Sequence, residues 1–275
     1  MTPSIGHQLL STRLARLGVS GDWEPLGEGG AGRLYRVKAE GRWRALKVAF
    51  DDERQTASFN RIRREAEILK RIDSHRIPRL VIADAGGEFL IRDYVDGRPL
   101  NTVGGRDARN CVREVLRTAG HLLPFVHGQR FAIRDFKPAN LVVHSNGTVH
   151  LVDVGSCRRW EEIPGGGDTL RLGSNKWRHW APEQLYGCVT APAGEGDYFA
   201  VGATVAWCLV GDFPFSNAER VPADARDRYR TEWALTVPGV RRRLQDIQAP
   251  ASVAEFVVSC LDPDPLRRPT EVPPW

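Results

Sequence analysis

Asp135 and Asn140 stand five residues apart in Ile133-Arg134-Asp135-Phe136-Lys137-Pro138-Ala139-Asn140, and Asp153 follows beyond an apolar run in Asp153-Val154-Gly155. Leu141-Val142-Val143 and Val149-His150-Leu151-Val152 flank Ser145-Asn146-Gly147. That pattern is strand, turn, strand, with Asn-Gly as a hairpin signal. Such a hairpin brings Asn140 and Asp153 to one end of the same ribbon. An amide oxygen and a carboxylate meeting there are hard oxygen ligands of the kind Mg²⁺ takes. Asp135 faces the same spot as a base.

A base, a metal-binding amide and a metal-binding carboxylate in this order resemble the catalytic and metal loops of the Ser/Thr protein kinase family, in particular the eukaryotic-like kinase domains of bacteria. Two positions depart from the family pattern. Ile133 stands where the family usually has His, and Val154 where it usually has Phe. Both family residues serve packing, so altered packing with retained chemistry is expected. A chance surface hairpin is the bland alternative, and it is opposed by further landmarks in the family's order.

The elements that must position these residues begin upstream. Leu9, Leu10, Leu14 and Leu17 recur at helical spacing up to Gly18, which predicts a short amphipathic helix over 8–18. Gly27, Gly29 and Gly32 give G-x-G-x-x-G, weak by itself. The sequel Arg33-Leu34-Tyr35-Arg36-Val37 alternates and is β-prone, so a two-stranded flap fits better than a dinucleotide-binding turn. Residues 43–50 read as the next strand, with Ala45-Leu46-Lys47, and residues 58–72 as a helix. Glu65 is the first choice for the acid that holds Lys47, and Glu67 the second. Exposed i,i+4 pairing (Arg61 with Glu65, Glu67 with Arg71) is the alternative role for these acids. Residues 79–83 and 88–95 suggest two more strands. Asp93 to Val95 then resembles the adenine-binding hinge, which puts Arg92 at the back of that pocket. A buried, unpaired Arg is too costly. Either it reaches an acid such as Glu65 or Asp153, or the pocket is shallow, or the alignment is off by one.

Downstream, Val112, Val115, Leu116, Ala119, Leu122, Leu123 and Val126 form one helical stripe ending at His127-Gly128, where His127 reads as a capping or packed residue. After Asp153-Val154-Gly155 comes a Gly-rich segment and then Ala181-Pro182-Glu183. The resemblance makes this an activation segment, with Thr169 and Ser174 as candidate phosphate acceptors and Arg134 as the cation that could bind the phosphate. It also implies that Asp197 ties down the catalytic-loop backbone and that Arg268 pairs with Glu183 as a scaffold. Residues 197–211 read as a buried helix.

Composition bounds the class. The chain has 275 residues, 41% hydrophobic and 27% charged, which suits one large domain or two lobes. No apolar run approaches the ~18–20 residues that span a bilayer, and the start lacks a secretory pattern. Five cysteines in no C-x-x-C pair argue against structural zinc and for a reducing, cytoplasmic setting. A net charge of +5 is a mildly basic surface, and no nucleic-acid-binding motif accompanies it. Oligomeric state is not set by the sequence. Only five positions are Lys, and two of them, 47 and 137, fall where a compact point charge on phosphate is needed.

The expected fold is α+β and bilobal: an N-terminal helical extension over 1–21, a small antiparallel-sheet lobe with one main helix over 22–95, and a mostly helical lobe over 96–275 whose last helix is short or missing. The resemblance implies ATP between the lobes and Mg²⁺ or Mn²⁺ beside it. Gly27, Gly29, Gly32, Leu34, Ala45, Lys47, Glu65, Asp93 and Val95 would bind the nucleotide, and Asn140 and Asp153 the metal. Asp135 and Lys137 would carry the transfer of the γ-phosphoryl group to a Ser/Thr hydroxyl of a protein or peptide. Three alternatives stay open. One is a small-molecule kinase of the aminoglycoside-phosphotransferase type, which generally lacks the Ala-Pro-Glu segment. Another is a kinase domain of a lanthipeptide-type peptide-modifying enzyme, and the third a non-catalytic ATP-binding pseudokinase.

Overall fold

The computed structural model describes residues 12, 14–15, 18–162, 179–186, 194–214 and 225–274. The chain divides into two compact units, Met1–Asp96 and Gly97–Trp275.

The first unit is a sheet with a helix on it. Strands β1 (Val19–Gly29), β2 (Gly32–Ala39), β3 (Arg42–Val48), β4 (Leu80–Ala83) and β5 (Phe89–Asp93) pair in the order β1-β2-β3-β5-β4, all antiparallel. Helix α1 (Gln55–Arg71) joins β3 to β4 and starts three residues earlier than its apolar pattern predicts. The two-residue period sorts the side chains of β3 and β5. Leu46, Phe89 and Ile91 pack with Leu14, Val19, Val37 and Ala39 on one face. Leu90 packs with Ile62 of α1 on the other. Residues directly opposite across a ladder share a face. The register Lys47↔Leu90 and Ala45↔Arg92 therefore puts Ala45, Lys47 and Arg92 on the α1 side. On α1, Ile62, Glu65, Ala66 and Leu69 are buried at helical spacing, so Glu65 sits in the stripe that faces the sheet. Leu14, with Thr12 and Ala15, is the described part of the helix expected over 8–18, and its side chain is fully buried.

The second unit is mostly helical: α2 (Gly105–Asn110), α3 (Val112–Gly128), α4 (Pro182–Tyr186), α5 (Glu195–Val210), α6 (Ala225–Asp246) and α7 (Ala251–Cys260). All seven apolar residues of the expected stripe are buried in α3. Helix α5 is buried on almost every side, as an all-round apolar helix must be. Two small sheets sit among the helices. Strands β6 (Gly97–Pro99), β8 (Leu141–His144) and β9 (Val149–Leu151) form one in the order β6-β8-β9. The other pairs β7 (Phe131–Ala132) with β10 (Arg158–Arg159). Strands β6, β7 and β10 and helices α2, α4, α6 and α7 go beyond the elements expected from the sequence. Together the units make the α+β organisation that the sequence led us to expect.

The β8–β9 hairpin keeps the strands and the turn region its sequence predicts, and the coordinates add the turn's geometry. A two-residue Asn-Gly turn of type I′ needs positive φ at both residues. Here Gly147 has φ +85° and Asn146 is not among the positive-φ residues. Gly147 N–H donates to His144 O at 2.8 Å, and His144 N–H to Thr148 O at 2.8 Å, so the connection is a longer loop closed by one left-handed glycine.

One ion pair ties α4 to the end of the chain. Arg268 forks onto Glu183, Nη1 to Oε1 at 2.5 Å and Nη2 to Oε2 at 2.9 Å, and its Nε donates to Asp262 O at 2.8 Å. The Arg268 side chain is wholly buried. Truncating one member of a buried pair leaves the other charge uncompensated, at a cost of about 3–5 kcal/mol. Arg268→Ala is expected to lower the unfolding free energy, read from urea melts, by that amount. Arg268→Lys should fall between the two, since an ammonium cannot fork.

Candidate active site

In the first unit the glycine stretch is the β1–β2 hairpin. Gly29 pairs with Gly32, Glu28 with Arg33 and Gly27 with Leu34. Gly32 has φ +152°, and a Cβ built there would lie 2.1 Å from Val48 O, so only glycine lets β2 approach β3 so closely. The hairpin tip is fastened to α1: Ser58 Oγ donates to Ala31 O at 2.5 Å, and Arg61 Nη1 to Gly30 O at 2.7 Å. Arg61 thus serves the loop.

Lys47 is the centre of this unit's polar chemistry. It is 4% exposed, and its Nζ donates to Glu65 Oε2 at 2.5 Å, with Glu65 fully buried. Glu67 is on the exposed side of α1. Arg92, 3% exposed, brings its Nε to 3.9 Å from Glu65 Oε1. Of the outcomes open for Arg92, the structure gives the ion pair with Glu65. That contact is a charge interaction longer than a hydrogen bond. Two buried cations therefore flank one buried carboxylate. Ala45 is buried beside Arg92 in the ladder, and Leu34 and Val95 are half-buried. Asp93 closes β5, its N–H donating to Arg79 O at 2.9 Å and its carboxylate accepting from Arg44.

In the second unit the loop between β7 and β8 carries the acid and the amide. Asp197, 1% exposed at the start of α5, accepts from Ile133 N–H at 2.8 Å and from Arg134 N–H at 2.6 Å. His127 Nε2 lies 2.9 Å from the same carboxylate. These bonds hold Arg134 at φ +65°, a conformation that costs a non-glycine residue free energy unless its surroundings enforce it. Ile133 and Val154, the two departures from the family pattern, are both buried apolar residues.

Asp135 is surrounded by donors. Lys137 Nζ lies 2.8 Å from both carboxylate oxygens, Asn140 Nδ2 donates to Oδ2 at 2.8 Å, and His179 Nε2 is 2.7 Å from Oδ1. Burial pushes the Asp135 carboxyl up, but the His179 hydrogen bond and the Lys137 charge outweigh it and hold the group below the usual carboxylate range. Burial pushes His179 below the ordinary imidazole value, against the pull of Asp135. Its Nε2 carries a hydrogen toward Asp135, because an ionised carboxylate only accepts.

Asn140 also donates from Nδ2 to Asp135 O at 2.9 Å. With the amide nitrogen committed, the amide oxygen is the atom left for a cation. Val152 N–H donates to Asn140 O at 2.8 Å, so the ladder runs one residue beyond β8 and β9, and Asp153 follows directly after Asn140's partner. Asp153 Oδ1 accepts from Gly155 N–H at 2.9 Å. Among the described residues no group of three or more His, Cys, Asp or Glu could hold a metal alone. One amide and one carboxylate suit a cation that completes its shell with phosphate oxygens and water, as Mg²⁺ does.

The structure thus gathers Arg134, Asp135, Lys137 and Asn140 on one loop of the second unit, with Asp153 at the adjoining end of β9. Lys47, Glu65 and the glycine hairpin belong to the first unit. Thr169 and Ser174 lie outside the described residues. His179, Ser58 and Arg61 are contacts the sequence reading missed. A histidine two residues before Ala181-Pro182-Glu183 was visible, but nothing local says that it turns toward a residue 44 positions away.

Comparison with known proteins agrees with this fold. The chain matches the protein kinase domain over residues 22–273 and belongs to that family. It is 28% identical over 233 residues to the serine/threonine-protein kinase PknA of Mycobacterium tuberculosis, covering 79% of this chain and 51% of that protein. It is 25% identical over 242 residues to the serine/threonine-protein kinase F of Synechocystis, covering 78% and 47%. The PknA kinase of Corynebacterium glutamicum is 25% identical over 188 residues, covering 65% and 39%. The chain spans about half the length, or less, of these relatives. Kinase domains of this family use ATP with a divalent cation.

The shared carboxylate in the first unit sets an order of stabilities. Glu65→Ala removes the acid between two buried cations and is expected to cost about 3–5 kcal/mol. Arg92→Met and Lys47→Met each leave a cation facing Glu65 and should cost less. Urea midpoints of the three variants check the ranking.

Proposed function

We propose that this chain transfers the γ-phosphoryl group of ATP to Ser or Thr hydroxyls of a protein or peptide. The observation that carries the reading is the Asp135 carboxylate, held ionised among Lys137 and Asn140 on the loop that leads into Asp153. In the reaction the acceptor oxygen bonds to the γ-phosphorus, and the bond to the β,γ-bridging oxygen breaks to release ADP. The hydroxyl proton passes to Asp135. Lys137 offsets charge on the moving phosphoryl group. Lys47, held by Glu65, sets the α- and β-phosphates, and the glycine hairpin offers backbone N–H groups to phosphate. Asn140 and Asp153 would hold Mg²⁺, or Mn²⁺. The ion, when bound, neutralises phosphate charge.

We assign residues 22–95 to the nucleotide lobe, with Asp93 and Val95 as its hinge, and 96–275 to the acceptor lobe; strand β1 already starts at Val19, inside the 1–21 stretch expected as a helical extension. Arg134 is the proposed receiver of a phosphate on Thr169 or Ser174. Among the described residues no helix is long and apolar enough to cross a membrane. Cys111, Cys157, Cys208 and Cys260 are not in disulfides, as a reducing cytoplasmic setting would keep them.

The test is incubation with γ-labelled ATP, Mg²⁺ and protein, peptide and aminoglycoside acceptors. Label on Ser or Thr is expected, with loss of transfer in Asp135→Asn and Asp153→Ala and a drop of ~10²-fold or more in Lys47→Met. Label on sugars alone, or full activity in all three variants, would reject the reading.

A further inference from the structure

Asp135 holds more donors than its chemistry can leave in place. Oδ1 accepts from Lys137 and His179, and Oδ2 from Lys137 and Asn140. An ionised carboxylate has about four lone-pair sites, so the four contacts fill it. An acceptor hydroxyl can dock on this base only when a donor withdraws.

Lys137 is the donor that can go. It occupies one site on each oxygen through a flexible stem, and an ammonium is a point charge that turns readily toward phosphate. Its withdrawal frees one lone pair per oxygen. Asn140 then holds Oδ2, itself steadied by its bond to Asp135 O. His179 alone remains to hold Oδ1.

His179 is built for that task. It is 2% exposed, with the rings of Trp180 and Phe213 at 6.2 and 6.4 Å between centroids. The chain just beyond it is anchored as well. Ala181 N–H donates to Gln184 Oε1 at 3.0 Å, and Gln184 Nε2 donates to Arg134 O at 3.4 Å, next to the base. A side chain fixed by packing loses little freedom in making its hydrogen bond.

We propose that His179 is a positioning residue for phosphoryl transfer, fixing the Asp135 carboxylate through Oδ1 while Lys137 serves the phosphate, so that the vacated lone pair meets the acceptor hydroxyl. This inference rests on the kinase reading above. Packing alone would also bury a ring here, so the decisive variants separate ring volume from the N–H donor.

The experiment measures kcat, KM for ATP and Mg²⁺-ATP binding for His179→Ala, His179→Phe and His179→Gln, with a peptide acceptor that the wild type phosphorylates. Removing a hydrogen bond to a charged group is expected to lower kcat roughly 10- to 100-fold in the Ala and Phe variants. ATP binding and KM for ATP should stay within about twofold, since the residue acts on the base. Gln, which keeps an N–H donor, should recover much of the loss. Wild-type kcat in His179→Phe would overturn the proposal by showing that the ring only fills space. Higher turnover in His179→Ala would overturn it by showing that the ring obstructs the base. A wild type that binds ATP but labels no acceptor would sink the kinase reading, and this proposal with it.

Discussion

The grip of Asp197 on the backbone of Ile133 and Arg134 is the constraint on which the second unit's chemistry depends. It spans more than sixty residues of sequence and makes two short hydrogen bonds from one buried carboxylate. Without it, Arg134 has no reason to keep a positive φ, and Asp135 follows directly after that bend. A left-handed residue turns the chain sharply, so the base's direction is inherited from a side chain on another element. Helix α5 can deliver Asp197 because it is buried nearly all round and cannot shift without disturbing the core.

Both units bury a carboxylate and set cations or donors around it. Glu65 lies between Lys47 and Arg92, and Asp135 among Lys137, Asn140 and His179. Burial is costly for a charge unless hydrogen bonds and opposite charge offset it. The arrangement also fixes orientation: Asp135 is hydrogen-bonded at both oxygens, and Glu65 is hydrogen-bonded at one oxygen and faces the Arg92 charge at the other. Phosphoryl transfer draws most of its catalysis from groups already in position, so that cost in desolvation gives rigidity where geometry matters.

Arg92 illustrates how far the sequence could be read. Its anomaly was visible as a cation in an apolar strand, and the cost of burying it unpaired pointed to an acid. The choice between Glu65 and Asp153 needed the β3–β5 register, which puts Arg92 on the α1 face with Lys47. The β8–β9 hairpin is a milder case. The strands followed from alternation and the turn region from Asn-Gly, while the turn type depended on φ at Asn146 and Gly147, which no dipeptide dictates.

By itself the sequence determined what local rules govern: the apolar stripe of α3, the strands of the first sheet, the glycine hairpin, and the ordered set of Lys, Glu, Asp, Asn and Asp that marks the family. Those features depend on period and residue type within a few neighbours, and so they survive reading along one dimension. Tertiary structure alone decided that His179 meets Asp135, that Ser58 and Arg61 fasten the glycine hairpin, and that Arg92 shares the acid of Lys47. Each of these contacts joins residues many positions apart in sequence. Their proximity is set by how helices and sheets pack, and packing leaves no periodic trace in the chain.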